Sequence, residues 1–318
     1  MGRYVLNRLL RWIPSVLFLL LIVYALVFFG AGDPIKLIFL RAPGDVAYDE
    51  ARVEAIRESA GLNRPFLVQF GDYVVHILKG DFGNSLVSGR SVNEMLKAAI
   101  PVTFQIGLSA ILIISIIGTI LGAIAALNHN KLVDNLIVGF ALFIWGIPVF
   151  VAGPLIIVVL VLGLGMSVPF GWAGLFSPKI IVPLLVLGLN PMAIIIRQAR
   201  SGVLEVLSED YVRTARSKGL PERVVVMRHI LRPVLTPVFS QIGLLIIGTL
   251  NNSILIEKVF GLPGLGRLTE NAIKTSDYPV ILAIVLVFSF VVMASNLLVD
   301  ISYPILDPRA ASKKKGEE

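Results

Sequence analysis

Six basic side chains, Arg213, Arg216, Lys218, Arg223, Arg228 and Arg232, crowd into one short stretch, EDYVRTARSKGLPERVVVMRHILRP, residues 209–233. Guanidinium and ammonium groups at this density meet carboxylates, phosphates or backbone carbonyls, so the chemistry is recognition of a partner rather than bond breaking. The rest of the chain offers little catalytic chemistry. There is no cysteine, which removes thiolate nucleophiles, thiolate metal ligands and disulfides. His76, His129 and His229 are the three histidines, and none stands at metal-ligand spacing from another. No G-x-x-x-x-G-K followed by Ser or Thr occurs, so no P-loop holds a nucleotide, and no G-x-S-x-G elbow presents a serine. The sequence predicts no enzyme, no metal and no cofactor bound by this chain.

The basic stretch carries its own folding signals. Val203, Leu207, Tyr211 and Ala215 recur every four residues, with Glu205, Glu209, Arg213 and Arg216 off that line, the pattern of an amphipathic helix. Ser208 reads as an N-cap, with Glu209 and Asp210 in the first turn. Glu209 and Arg213 form an i,i+4 pair. Arg216 and Lys218 suit the last turn, Gly219 the stop, and Pro221 the first residue of a second helix. Val224, Met227 and Leu231 then repeat at helical spacing, and Pro233 marks where the next hydrophobic run begins. A loop that only balanced charge would not need two capped helices with an apolar stripe. Such a stripe predicts a surface to pack on.

The elements around this segment are apolar. Of 318 residues, 56% are hydrophobic and 15% charged, against about 25% charged in soluble domains. The mean hydropathy is +0.85. Residues 12–32, 98–128, 135–178, 180–196, 233–256 and 278–299 contain no Asp, Glu, Lys or Arg. A helix needs about 20 apolar residues to cross a bilayer. The fold class predicted is all-α and polytopic, with six transmembrane helices at roughly 9–29, 101–127, 135–162, 180–200, 234–256 and 279–302. The first run resembles a signal peptide, but it is too long and no A-x-A site follows, so it reads as a retained helix. Gly163, Gly165, Pro169, Gly171, Gly174 and Pro178 end the third span, with an outer loop or re-entrant segment around Phe170 and Trp172.

Lys and Arg counts set the orientation. With the N-terminus inside, the inner segments hold 16 and the short outer ones 4, while the long 30–97 stretch holds 8. Both termini and the basic segment are therefore predicted to be cytoplasmic, and the net charge of +7 reads as topology, not as nucleic-acid binding. The 30–97 stretch reads as an outer cap of short helices, at 49–60 and 66–78. The Lys313–Lys315 tail reads as a solvated end beside anionic lipid.

Within the spans, ionisable groups are nearly absent, because Arg197, Glu257 and Asp300 fall at predicted ends. A proton- or sodium-coupled carrier needs such groups near the midplane. Pro148, Pro154, Pro183 and the pair Asn190-Pro191 free backbone carbonyls that a polar cavity can satisfy. Gln105, Asn190, Asn251 and Asn252 are candidates to line a pathway, with interhelical hydrogen bonding as the rival role. Gly118 and Gly122 suit close helix packing. The GLPGLG stretch, 261–266, reads as a tight turn before the last span.

The basic segment resembles the cytoplasmic loop of bacterial ABC importer permeases. That loop in general form reads E-A-A, three residues, G, then I-x-L-P. Arg213-Thr214-Ala215 stand at the E-A-A positions, Gly219 at the glycine, and Ile230-Leu231-Arg232-Pro233 ends one residue late. The variant EDYVRTARSKG is similar to the first permease of the dipeptide, oligopeptide and nickel importer subfamily. RLLRWIPS, GDP at 32–34, GLNRP at 61–65, GDFGNSL at 80–86, FGLPGLGR at 260–267, DYPV at 277–280 and NLLVDISY at 296–303 extend the resemblance along the chain.

The resemblance implies one transmembrane half of an ATP-driven importer. Its segments would be 1–29 with the first span, an outer cap at 30–97, a five-helix core at 98–302 carrying a cytoplasmic coupling loop at 200–233, and a cytoplasmic tail at 303–318. It implies a second, homologous permease, two cytoplasmic ATPase subunits that bind the ATP, an extracytoplasmic substrate-binding protein, and residence in the bacterial or archaeal cytoplasmic membrane. Coupling to the ATPases falls to Glu209, Asp210, Tyr211, Arg213, Thr214, Ala215, Arg216 and Gly219. Tyr211, Ala215 and Gly219 would dock, while Arg213 and Arg216 would orient. Di- or oligopeptides are the expected cargo, with oligosaccharides and nickel chelates as alternatives. A stand-alone secondary carrier or a membrane scaffold are the rival classes.

Overall fold

The computed structural model describes residues 2–30, 50–59, 61, 63–167 and 170–306. The GDP stretch at 32–34 and the Lys313–Lys315 tail lie outside the described residues. In chain order the helices are α1 (Gly2–Ala25, closing in a π turn over Leu26–Gly30), α2 (Glu50–Ser59), α3 (Phe66–Leu78), α4 (Val92–Leu127), α5 (Leu132–Gly146) and α6 (Val149–Val158, with a π turn over Val159–Gly163). They continue with α7 (Ile181–Leu207, led by a 3-10 turn at Pro178–Ile180), α8 (Asp210–Ser217), α9 (Glu222–Val224), α10 (Leu231–Phe260), α11 (Leu265–Thr275) and α12 (Tyr278–Leu306). Among the described residues the only β pairing is an isolated bridge between Asn84 and Ser91.

Among the described residues, five helical stretches are long and apolar enough to cross a membrane: Leu10–Gly30, Val92–Leu127, Pro178–Leu207, Glu222–Ile246 and Tyr278–Leu297. The helix that the sequence predicts over 135–162 is not continuous. It is a pair, Leu132–Gly146 and Val149–Gly163, bent by 102°. The cause is local: Ile147 precedes Pro148 and takes extended backbone (φ −92°, ψ 113°), as the proline ring demands of its neighbour.

Two further boundaries differ from expectation. The second span starts at Val92, not 101, and carries Pro101 inside it. Pro233 does not separate the basic segment from the next span. The chain runs helically from Glu222 into α10, through a π turn at Val225–Ile230. Proline lacks the N–H that would bond four residues back, and the wide turn immediately before Pro233 absorbs that loss.

The chain divides into two compact units. The first comprises Met1–Pro101 and Pro263–Met293. Its core packs Val92, Leu96 and Ala99 against Leu265, Ala272, Val280, Ala283 and Ile284. The Asp277 carboxylate, itself buried, accepts hydrogen bonds from the Ser85 hydroxyl and from the Leu86 N–H, which ties the loop before α4 to the start of α12. Helix α11 intervenes between GLPGLG and the last span, an element absent from the sequence reading.

The second unit comprises Val102–Leu262 and Ala294–Glu318. Here α4 and α7 approach closely. A Cβ on Gly122 would stand 2.5 Å from the Ile196 carbonyl oxygen and 2.7 Å from Ala199, and one on Gly118 would meet Ile195 at 2.9 Å. The spacing of small residues that the sequence offered is thus used in a helix contact. At its far end α10 closes on Gly261, whose φ is +65°, and the Leu262 N–H returns to the Glu257 carbonyl in a Schellman-type stop.

Candidate coupling surface

Helix α8 is short and has two faces. Val212 and Ala215 are buried, packed with Val203 of α7, Val225 and Ile230 of the π turn, and Val234 of α10. The side chains of Glu209, Asp210, Tyr211, Arg213, Thr214 and Arg216 are exposed. The apolar stripe predicted along Val203, Leu207, Tyr211 and Ala215 is therefore not one face of one helix. Val203 and Leu207 belong to α7, Tyr211 turns outward, and Val212 takes the inward place. A break between Leu207 and Asp210 resets the rotational phase, and a four-residue count cannot run across it.

The capping differs as well. Ser208 is not the N-cap of α8. It ends α7 and its hydroxyl donates back to the Glu205 carbonyl at 2.7 Å. Glu209 holds the N-cap position in extended backbone, without a side-chain cap bond. Asp210 in the first turn still faces the positive helix end. Arg213 reaches Asp210 (3.6 Å), not Glu209, and both are widely exposed.

After Ser217 the chain turns through Gly219, at φ +72°, a left-handed conformation natural to glycine. The N–H groups of Lys218 and Gly219 close the turn on Thr214 and Arg216. Arg216 then bridges the turn. Its guanidinium donates twice to Glu222, at 2.7 and 3.3 Å, and so holds α8 against the first residue of α9. That pairing raises the Arg216 pKa above its usual value, so the charge is permanent. Burial, and then the Glu209 carboxylate, raise the Tyr211 phenol. It remains a neutral hydrogen-bond donor.

Around the turn the surface mixes large apolar groups with cations. Tyr211, Leu220, Val224 and Met227 are all exposed, Met227 by 67%. Arg213, Lys218, Arg223 and Arg228 are exposed among them. Sequence reasoning found the cations and Tyr211. It put Val224, Met227 and Leu231 at one helical spacing; in the structure Val224 and Met227 are exposed and Leu231 is half-buried.

Where α5 meets α7 lies a cluster that the sequence alone did not indicate. Asp134 opens α5 and is almost wholly buried. It accepts two hydrogen bonds from Arg200 of α7, at 2.7 and 2.8 Å, and one from the Asn130 N–H at 2.9 Å. His129 Nδ1 lies 3.2 Å from the same guanidinium. The signal available was an isolated aspartate at the head of a long charge-free run. A second such residue is Glu257. It lies in the last turn of α10, where the sequence puts a span end, yet it is wholly buried and accepts from the Thr103 hydroxyl at 2.7 Å.

The four pathway candidates lie on three helices and differ in exposure. Gln105 on α4 and Asn251 on α10 are exposed, while Asn190 on α7 and Asn252 on α10 are half-buried. Among the described residues no cluster of three or more His, Asp or Glu could hold a metal ion.

Comparison with known proteins follows the same lines. Residues 118–312 match the family model described as binding-protein-dependent transport system inner membrane component. The chain is 38% identical over 314 residues to the glutathione transport system permease protein of Salmonella typhimurium, covering 97% of this chain and 98% of that one. It is 34% identical to the oligopeptide transport system permease protein of Salmonella typhimurium, covering 97% and 99%. It is also 34% identical to the dipeptide transport system permease protein of Bacillus subtilis, covering 99% and 100%. Among solved structures, a chain of the inward-facing MetNI methionine ABC transporter aligns with TM-score 0.52 at 15% identity, over 65% of this chain and 96% of that chain. A chain of an amino acid ABC transporter aligns at TM-score 0.50 and 15% identity, over 65% and 92%. These last two establish a shared fold.

Proposed function

We propose that this chain, which belongs to the family of binding-protein-dependent transport system inner membrane components, forms one half of the membrane pore of an ATP-driven importer of small peptides. The observation that carries the reading is the two-sided character of α8. Val212 and Ala215 lock it into the chain's own core, so a force on the outer face is transmitted to α7 and α10. The outer face offers Tyr211, the Gly219 turn and Met227 as apolar contacts, ringed by Arg213, Lys218 and Arg223. A docking surface of this kind gains affinity from the apolar centre and register from the charged rim.

Two cytoplasmic ATPase subunits dock on this face and on that of a second, homologous permease. ATP is bound by those subunits; the chain itself is not an enzyme and needs no cofactor. Of the residues assigned to coupling, Glu209, Asp210, Tyr211, Arg213, Thr214 and Gly219 meet the partner. Arg216 acts by fixing the turn through Glu222, and Ala215 acts from inside by seating the helix. Closure of the ATPases pulls the α8 helices together and opens the pore outward, where a substrate-binding protein delivers cargo. Gln105, Asn190, Asn251 and Asn252 contribute polar groups to the pathway between the two permeases. The similarity to glutathione, oligopeptide and dipeptide permeases supports peptide as the cargo class.

The test is purification of this chain from detergent-solubilised native membranes, then reconstitution of what accompanies it. Co-purified ATPase subunits, a second permease and peptide-stimulated ATP hydrolysis are expected. Recovery of the chain alone, with transport driven by an ion gradient, overturns the reading.

A further inference from the structure

The outer segment between the first two spans contains a helix with more apolar surface than its protein neighbours cover. Helix α3 packs one side on the outer end of α1. Tyr24 touches Phe66, Phe70 and Tyr73 at ring-centroid distances of 5.4–5.9 Å, and Phe66 also meets Phe28 and Phe29 at 5.3 Å. The Tyr24 hydroxyl reaches Gln69 Oε1 at 3.4 Å. On the helical wheel the side chains used in this contact, Phe66, Gln69, Phe70 and Tyr73, occupy one sector.

A second apolar sector adjoins the first and is uncovered. Leu67 (73% exposed), Gly71, Val75 (47%) and Leu78 (81%) follow one another at three- and four-residue steps. The third sector is narrow and polar: Asp72, paired with Arg64 at 3.0 Å, then His76 and Lys79, all exposed. A helix that is apolar around most of its circumference and polar along one strip does not suit water on its open side.

The depth of α3 follows from α1. The span Leu10–Gly30 has 21 residues, about 31 Å of helix, which matches a hydrocarbon core of about 30 Å. With the N-terminus inside, Gly30 lies at the outer boundary. Tyr24, where α3 crosses α1, then lies about 9 Å within it. That is the depth at which amphipathic helices settle, about 5–10 Å into the boundary between headgroups and acyl chains. At 13 residues α3 is too short to cross. Two of the rings at the crossing, Tyr24 and Tyr73, are of the amphipathic kind that collects at membrane interfaces. The exposed apolar surface also continues from the α1 span, of which only 6% is buried within the chain.

We infer that α3 lies in the outer membrane interface, with Leu67, Val75 and Leu78 in contact with lipid and Asp72, His76 and Lys79 facing water. It anchors the segment that links the first two spans, so that the outer end of α1 and the start of α4 stay at a fixed depth. The occupant of the open face is the lipid surface, not a protein. This inference uses the membrane orientation and does not depend on ATPase coupling.

The absence of cysteine makes the test direct. Leu67→Cys, Val75→Cys and Leu78→Cys are compared with Asp72→Cys and His76→Cys, each in the full-length chain, spin-labelled and reconstituted in vesicles of phosphatidylethanolamine and phosphatidylglycerol. Accessibility is read with oxygen, which concentrates in lipid, and with a water-soluble nickel chelate. Labels at 67, 75 and 78 are expected to favour oxygen over the chelate several-fold more than labels at 72 and 76. Equal access of the chelate to both groups of positions overturns the inference. So does loss of access to both reagents at 67, 75 and 78, the signature of a face covered by protein.

Discussion

Arg200 grips Asp134 through two nearly parallel hydrogen bonds, at 2.7 and 2.8 Å, joining the last third of α7 to the first turn of α5. The pair stands ten residues before α8 begins. It holds the α4–α5 turn to the helix that leads directly into the coupling surface. Breaking it by Asp134→Ala strands a guanidinium in a poorly hydrated place. Removing one partner of a buried pair costs about 3–5 kcal/mol. Arg200 retains some contact with water, so a loss of about 3 kcal/mol is expected. Thermal unfolding of the purified chain in detergent measures it. A variant as stable as the parent means that the pair is not a strut.

Close approach of α4 to α7 gives a second expectation. Gly122→Ala places a methyl against the Ile196 carbonyl and Ala199, where neither side is a flexible chain end. Separation of the helices is expected to cost about 1–3 kcal/mol. Gly139→Ala on α5 is the control, because nothing lies within 4 Å of its added carbon. Equal unfolding temperatures for the two variants would contradict the packing described.

The turn after α8 gives the third. Gly219 has open space around it, so a larger residue there meets no clash but must adopt φ near +72°. Gly219→Val is expected to cost about 1–2 kcal/mol of local strain and to lower peptide-stimulated ATP hydrolysis while the chain still inserts. Gly219→Asn, which tolerates the left-handed region, should retain most of that activity. Native stimulation in both variants would remove the turn from the coupling surface.

Inner and outer faces of α8 should respond differently. Met227→Glu and Tyr211→Ser alter exposed groups and should weaken recovery of the ATPase subunits without changing the unfolding temperature. Ala215→Leu pushes three extra heavy atoms into the core shared with Val203 and Val234, and about 1–3 kcal/mol of destabilisation is expected. Co-purification yield and thermal unfolding, measured on the same preparations, separate the two classes. A stability loss with Met227→Glu would show that this residue is not free on the surface.

Helix α3 was legible to the residue, and α2 nearly so, because turn signals and apolar periodicity act within one turn of helix. The coupling segment was legible as a helix, a glycine turn and a second helix for the same reason. Its facing was not. Leu207 and Asp210 are separated by a break whose angle depends on tertiary contacts, so the phase of Tyr211 and Ala215 could not be carried across. The π turn at Val225–Ile230 likewise breaks the regular spacing that runs from Val224 through Met227 to Leu231. It adds a residue to one turn and rotates everything before it.

Composition and apolar run lengths alone show a helical membrane protein, and local residue spacing marks where its basic side chains are densest. Those properties follow from transfer free energies of single residues and from counts of charge, which need no knowledge of what packs where. Only the tertiary structure decided that α5 and α6 meet at 102°, that Glu257 and Asp134 are buried, and which side of α8 is open. The bend turns on the local backbone at Ile147 before Pro148, but the buried carboxylates depend on contacts between segments far apart in the chain. Thr103 and Glu257 are 154 residues apart, and Asp134 and Arg200 are 66 apart. No local pattern records such a pairing, because the stabilising interaction exists only once both segments have folded.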